Sequence, residues 1–584
     1  MAFISITSGN TIVIEDCHDQ KKIIGDIGGV WEPLLGAWTV VFTIGNLEYL
    51  LDNLENVGVA EDMPDHVERQ TEKESKLDRL REMSKSDVEV RLKVPGLSLS
   101  PYNYQRLGVM YAVTNGAGVL VADEMGLGKT MQAIATALIM KSKGLASNAL
   151  IVTPASLKFN WPIEIEKFTD EKYVIIDSSK SDDRIAQWLR TDVFFYIVNY
   201  ELLLEDLFGG RKLKAKKNET DEQKIRREKM AAKAERRQRI LGDVRRRVWD
   251  FLAIDEAQAI KNHTSKRTRN VKLLKAKFKM ALTGTPMDGR LEELHSIMEF
   301  VAPGLLGSKT RFFQRHIETD FWGRVTGYKR ISEVKERIQP FFIRRLKRDV
   351  LRDLPDKIYE NRMVVLSPKE RDVYDSLADH GHEATEDVEA VVAIIRCKQF
   401  CDWPEIVDDS VKASAKMDAF REVLEEVVSM NGHKAIVFSQ YKTMVNILVK
   451  VFDELGLKYL RIDGDTPKLR RAEMQREFNT DESIDLMVGT DAMSAGLNFT
   501  AADYVINYDD NWSPMIMAQR EDRTHRIGQR NVVTVVNFIC KDTVEERIRS
   551  VIYAKNRITD EVLGDDTEEM VLKRLGPKDM ARLL

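Results

Sequence analysis

Four cysteines in 584 residues are too few for a disulfide framework, and no apolar run approaches the roughly 18 residues of a membrane span. The opening Met1-Ala2-Phe3-Ile4-Ser5 also lacks the basic start and long apolar stretch of a secretory leader. These absences lead us to expect an intracellular, reducing compartment such as the cytoplasm, nucleoid or nucleus, with no membrane partner. Excess positive charge is missing too. With 89 Lys and Arg against 93 Asp and Glu, the net charge is −4, so any electrostatic grip on a polyanion must be local. What remains, 43% hydrophobic and 31% charged residues, describes a globular chain long enough for several domains. No tandem repeat is visible.

The most informative segment is Asp123-Glu124-Met125-Gly126-Leu127-Gly128-Lys129-Thr130, which follows the apolar run Gly118 to Ala122 and precedes a helix-like stretch from Met131. A strand, a Gly-rich turn and a helix in that order suit a nucleotide phosphate, because backbone N–H groups converge at the positive end of the helix dipole. Gly126 and Gly128 let the backbone approach the phosphates, Lys129 reaches their outer oxygens, and the Thr130 hydroxyl suits Mg²⁺. The general pattern has Gly where this chain has Asp123.

About 125 residues on, Val248 to Ile254 reads as a buried strand with Asp255-Glu256-Ala257-Gln258 at its carboxyl end, where open parallel sheets bind ligands. There Asp255 can hold Mg²⁺ through water and Glu256 can orient an attacking water. Taken alone an Asp-Glu pair is a solvated turn; after a strand and a phosphate loop it is half of a nucleotide site.

Local basic charge is found between Arg211 and Arg247, with 16 Lys and Arg against 6 Asp and Glu. Two readings stay open: a solvated surface helix, or a grip on DNA phosphates that adds affinity without sequence preference. A second basic stretch runs from Arg344 to Arg352. Cys397 and Cys401 sit four apart with His380 and His382 upstream. Buried packing thiols explain them better than zinc, which needs four convergent ligands.

The order of further segments resembles a known family. Tyr104-Gln105-x-x-Gly108, the loop at Asp123 to Thr130, Val152-Thr153-Pro154, Asp255 to Gln258 and Leu282-Thr283-Gly284-Thr285-Pro286 resemble the first lobe of a superfamily-two helicase. Ile436 to Gln440, Ile462-Asp463-Gly464, Gly489 to Asn498 and Gln519 to Gln529 resemble the second lobe of Swi/Snf-type DNA translocases, as does Phe342 to Pro355 between them. Asp123 is that family's own version of the loop start.

The resemblance implies an α/β fold of two tandem RecA-like lobes, parallel sheets flanked by helices, with helical insertions. It implies a DNA-dependent ATPase that uses ATP and Mg²⁺ and moves along double-stranded DNA, forked or gapped DNA included, in repair, replication or viral DNA processing. A strand-separating DNA or RNA helicase of the same superfamily is the alternative, and a non-enzymatic scaffold is third. ATP would lie against Gln105 and residues 123–130. Lys129, Asp255, Glu256, Arg523 and Arg526 would be catalytic, the two arginines lying three apart on one helical face. Gln258, Thr283, Thr285, Asp491, Gly496 and Gln519 would couple nucleotide state to DNA grip, and Thr153, Ser439 and Thr490 would meet DNA phosphates.

The organisation expected is a small α/β accessory domain over 1–60 and a charged linker, extended or an exposed helix, over 61–95. Lobe one then spans 96–340 with a basic insert at 209–247, an inter-lobe linker and helical insertion 341–430, lobe two 431–555, and a helical tail 556–584. Within residues 1–60, Gly28-Gly29-Val30-Trp31 and Ala37-Trp38-Thr39-Val40 resemble the accessory domain of annealing helicases.

Overall fold

The computed structural model describes residues 2–7, 11–17, 19–33, 35–84, 88–209, 239–351, 354–382, 387–494, 497–526 and 528–563. Most of the basic insert, Gly496, Arg352 and the tail from 564 lie outside these residues. The described residues fall into two compact units, one drawn from 1–124, 128–316 and 330–346 and the other from 125–127, 317–329 and 347–584.

The first unit begins with a five-stranded sheet. Its strands are β1 (Ala2–Thr7), β2 (Thr11–Glu15), β3 (Val30–Glu32), β4 (Ala37–Val41) and β5 (Val57–Val59), in the order β3-β4-β2-β1-β5. Helices α1 (Lys21–Asp26) and α2 (Ile44–Asn53) accompany it. Alternation in β1 sends Ala2, Ile4 and Ile6 inward to pack with Ile12, Ile14 and Leu50. Trp38 is partly buried against this core, and Trp31 meets it edge-on at 5.8 Å.

The segment expected as a linker or exposed helix is helical and packs into two cores. Helix α3 (Met63–Ser84) fills most of it. Met63 joins the core of the small sheet, while Leu77 and Leu80 join that of the large sheet. Val90 and Val94 enter the same core after the helix. The sequence masked this because a few well-spaced apolar residues on an otherwise charged helix suffice to seal it. A deletion through residue 95 therefore cuts into a core.

Next come α4 (Asn103–Asn115), ended by Gly116 in the left-handed conformation, then β6 (Gly118–Val121) and α5 (Lys129–Ser142). The large sheet adds β7 (Ala149–Thr153), β8 (Tyr173–Ile176), β9 (Phe195–Asn199), β10 (Val248–Asp255) and β11 (Lys275–Leu282). A separate hairpin of β12 (Ile317–Thr319) and β13 (Val325–Tyr328) precedes β14 (Phe342–Ile343), which pairs with β6 as the sheet's edge. The order is β14-β6-β11-β10-β7-β9-β8, parallel throughout. Strands β6, β7 and β9 are buried at every position, as a sheet covered on both faces requires.

The second unit holds β15 (Lys357–Val364), β16 (Ala435–Phe438), β17 (Tyr459–Ile462), β18 (Leu486–Gly489), β19 (Tyr504–Asn507) and β20 (Val533–Cys540), ordered β15-β20-β19-β16-β18-β17 and all parallel. Two boundaries differ from expectation. The first sheet reaches past 340 through β14, and much of 341–430 belongs to the second unit. There β15 pairs with β20 along eight residues, and Tyr374, Ile394, Cys397, Phe400 and Phe420 pack in the core with Val437 and Phe538. Burial of these side chains, invisible in a stretch with no motif, decides their allegiance. Cys397 and Cys401 are buried free thiols in that core, whereas His380 is exposed and bonds the Ser376 carbonyl.

Candidate nucleotide site and second-sheet edge

In the first sheet, register brings the motifs to one edge. Val121 pairs with Leu282, Leu282 with Asp255, and Ile254 with Val152. The phosphate loop, Thr283, Asp255 and Thr153 therefore leave four adjacent strands at one level, at the carboxyl ends.

The loop is shaped by two glycines with positive φ, Gly126 at +86° and Gly128 at +72°. Gly128 caps α5, and the buried Gln105 amide lies so close that a Cβ there has no room. Gln105 in turn completes a capping box on α4, its Oε1 accepting from the Tyr102 N–H at 3.0 Å. The Lys129 ammonium spans the loop, donating to the carbonyls of Asp123 (2.8 Å) and Glu124 (3.3 Å). Thr130 follows, half-buried in the first turn of α5. Asp123 is fully buried, and Arg345 and Gln132 neutralise and bond its carboxylate.

Asp255 accepts from Trp161 Nε1 (2.9 Å), Thr153 Oγ1 (3.3 Å) and the Glu256 N–H (3.0 Å), while Tyr200 donates its hydroxyl to the Asp255 carbonyl at 2.8 Å. Burial, aided by the adjoining Glu256 charge, pushes the Asp255 carboxyl up to about 6. Glu256 adopts φ +49°, a left-handed conformation that costs a non-glycine residue strain. Gln258 donates to that carboxylate at 2.7 Å and accepts from Thr283 Oγ1 at 2.8 Å, and Thr283 Oγ1 accepts from the Thr285 N–H at 3.0 Å. Of the residues expected as couplers, Gln258, Thr283 and Thr285 thus form one continuous relay starting at Glu256. The buried Thr285 hydroxyl finds no partner among the described residues.

The second sheet presents a different edge. Phe438 pairs with both Gly489 and Asn507, so Ser439, Thr490 and Tyr508 leave the sheet together. Arg520, fully buried, bonds Asp491 (2.6 Å), the Asp509 carbonyl (2.6 Å) and Asn507 (3.3 Å). Asp491 also accepts from Asn511 at 3.0 Å. The helix Pro514–Glu521 ends before Arg523 and Arg526, so these arginines stand on the following turns and not on one helical face. Arg523 is buried and donates to the carbonyls of Gln519 (3.0 Å) and Leu497 (2.9 Å); Arg526 is half-buried and donates to Asn498. Asp522 is the residue after the helix, its N–H still bonded to the Ala518 carbonyl. Burial alone would raise its carboxyl, but Lys347 and Lys357 outweigh that and hold it below the usual range.

Two of the three hydroxyls expected to face DNA are committed inside the protein. Thr153 is buried against Asp255, and Ser439 is buried and donates to Asp509. Thr490 is half-buried. Sequence reasoning missed Trp161, Tyr200, Arg345 and Arg520. Arg345 and Arg520 had a signal, since they stand within the recognised segments Phe342 to Pro355 and Gln519 to Gln529.

Two family models match the chain: SNF2-related domain over residues 102–407 and Helicase conserved C-terminal domain over 415–528. An uncharacterized ATP-dependent helicase of Mycoplasma pneumoniae is 31% identical over 80% of this chain and 42% of its own length. The ATP-dependent DNA helicase DDM1 of Arabidopsis thaliana is 27% identical over 79% of this chain and 62% of its own. This chain therefore spans only about half the length of such relatives. Among solved structures, the Sulfolobus solfataricus SWI2/SNF2 ATPase core in complex with dsDNA is 28% identical, covering 81% of this chain and 95% of that one, with a TM-score of 0.38. The SNF2-related model alone spans more than half of the 584 residues, and the chain belongs to the SNF2-related family.

Proposed function

We propose that the chain is an ATP-driven translocase on double-stranded DNA, a DNA-dependent ATPase that tracks the duplex without separating it. The observation that carries this reading is the relay from Glu256 through Gln258 to Thr283 and Thr285, which ties a water-orienting carboxylate to the next strand's loop. A simple nucleotide-binding scaffold has no need of such a relay.

In this reading the amides around Gly126 and Gly128, with Lys129, hold the phosphates and Gln105 holds the base. Thr130 and Asp255 suit Mg²⁺: a buried carboxyl pushed up to about 6 is one that a divalent cation returns to its charged form. Mg²⁺, when bound, supplies charge neutralisation to the phosphates. Glu256 orients the water, and Arg523 and Arg526 offset charge in the transition state. Asp491, Gln519 and Gly496 serve the second sheet's response to DNA, and Thr490 its phosphate contact.

The test compares ATP turnover with duplex, single-stranded, forked and gapped DNA and with RNA, alongside displacement of a triplex third strand. Duplex DNA is expected to stimulate turnover most and the third strand to be displaced while the duplex stays paired. Unwinding of a flush-ended duplex would assign a strand-separating helicase, and turnover absent on every nucleic acid would leave a scaffold.

A further inference from the structure

The chain's last passage from the first unit to the second falls between Leu346 and Lys347, and Arg345 and Lys347, on either side of Leu346, are both fastened by buried ion pairs. On the first side, Arg345 is 3% exposed. Its guanidinium pairs with both oxygens of Asp123, at 2.9 Å for Nε to Oδ1, bonds Gln132 Oε1 at 2.7 Å and donates to the Tyr104 carbonyl. Gln132 closes the ring by donating to Asp123 Oδ2 at 2.8 Å. The backbone joins in: the Arg345 carbonyl accepts from the Glu124 N–H at 2.9 Å, and the Ile343 carbonyl from Ala122 at 2.7 Å. A Cβ on Gly108 would collide with Gln132 and Arg345, which accounts for that glycine. The start of the phosphate loop is therefore clamped to residues 343–345 by a planar, two-pronged pairing that lysine could not reproduce.

On the other side, Lys347 is also 3% exposed. Its ammonium donates to Asp522 Oδ1 at 2.6 Å and to the His525 carbonyl at 2.7 Å, the two residues that bracket Arg523. Buried charges of this kind are costly to separate. The last clamp before the crossing holds the phosphate loop, and the first clamp after it holds the segment bearing Arg523 and Arg526.

We infer that Arg345-Leu346-Lys347 is a tie that transmits movement between the phosphate loop and the arginine-bearing segment, making Arg345 and Lys347 positioning residues for ATP turnover. The inference rests on the proposed DNA-stimulated ATPase. Two rigidly seated side chains one residue apart leave little slack, so a shift at either clamp pulls on the other.

The decisive experiment inserts three glycines between Leu346 and Lys347, which leaves every clamping side chain in the protein and removes only the tautness. Dissociation of a fluorescent ATP analogue is expected to stay within about threefold of the natural chain, while kcat with saturating duplex DNA falls about tenfold or more. Lys347→Met reaches the tie from the other end; Lys357, 3.3 Å from Asp522, still neutralises that carboxylate, so the fold survives. This variant is expected to show the same fall in kcat with unchanged analogue affinity, and Lys347→Arg to recover part of it. Stimulated kcat within twofold of the natural chain in the insertion variant, or in Lys347→Met should the insertion fail to fold, overturns the tie alone. A natural chain that duplex DNA does not stimulate overturns the proposed function and the tie with it.

Discussion

The two parallel sheets share a topology and differ at the edge where their loops emerge. In the first, carboxylates are poised: Asp255 is pushed up to about 6, and Glu256 sits at φ +49° with its carboxylate bonded by a side-chain amide. In the second, charge is balanced, with Arg520 against Asp491 and Asp509, and Lys347 and Lys357 against Asp522. A strained backbone beside a carboxyl raised by burial suits chemistry, whereas opposite charges paired in place suit a frame. In the proposed reading, water activation belongs to the first edge and the presentation of arginines to the second.

The contrast breaks most sharply at Arg526. Replacing it with alanine is expected to lower DNA-stimulated turnover about 10³-fold or more, the worth of an arginine that acts in the transition state, with ATP affinity nearly intact. Turnover within tenfold of the natural chain would remove the second edge from the reaction. Arg523→Ala adds a structural cost, because the Gln519 and Leu497 carbonyls lose a donor.

Arg520→Met probes the frame. Two carboxylates lose their buried partner, and chemical denaturation should register a loss of about 3–5 kcal/mol. A near-neutral result would mean that the second edge is not held by charge.

Smaller and more specific is the pH response of Asp255 in protein free of nucleotide and Mg²⁺. Its carboxyl titrates near 6 in the fold against an ordinary 3.8. As pH rises between those values the unfolded chain gives up the proton and the folded chain keeps it, so this group's contribution to stability falls across that window and is level above it. The melting temperature of Asp255→Asn relative to the natural chain is therefore expected to rise from about pH 4 to about pH 6 and then hold steady. A constant difference across the range would place Asp255 in an ordinary, solvated setting.

The smallest effect concerns the N-terminal sheet. Removal of residues 1–60 should change duplex-stimulated turnover by about twofold at most, because the phosphate loop and both edges lie beyond it. Removal through 95 should yield an insoluble chain, since Leu77, Leu80, Val90 and Val94 leave the core they share with β6 and β7. Equal behaviour of the two truncations would contradict the packing of α3.

These contrasts were unevenly legible in the sequence. The phosphate loop and Asp255-Glu256 are contiguous, and strand, turn and helix chemistry places them with no tertiary information. The α/β character of residues 1–60 was also readable, because alternation and apolar spacing are local signals, but the three-residue strands β3 and β5 carry too little of either. The pairing of Arg345 was not readable: that side chain meets Asp123 across 222 residues, and nothing in an Arg-rich stretch says which arginine turns inward. Thr153 and Ser439 show the same limit, for a strand-end hydroxyl can face a ligand or a buried carboxylate with no change in sequence. Lys357 to Val364 carries no motif and forms an edge strand exposed at most of its positions, so nothing local announces its place in the sheet.

The central claim is that Glu256 activates water within a DNA-responsive ATPase, and one measurement addresses it directly: ATP turnover and ATP binding of Glu256→Gln beside the natural chain, with and without duplex DNA. The amide keeps the size of the side chain and a bond to Gln258 but loses the charge that orients water. The account predicts ATP binding close to that of the natural chain, marked DNA stimulation in the natural chain only, and a fall of about 10² to 10⁴ in the variant's stimulated turnover. Turnover by Glu256→Gln above a tenth of the natural chain's, still responsive to duplex DNA, would contradict it.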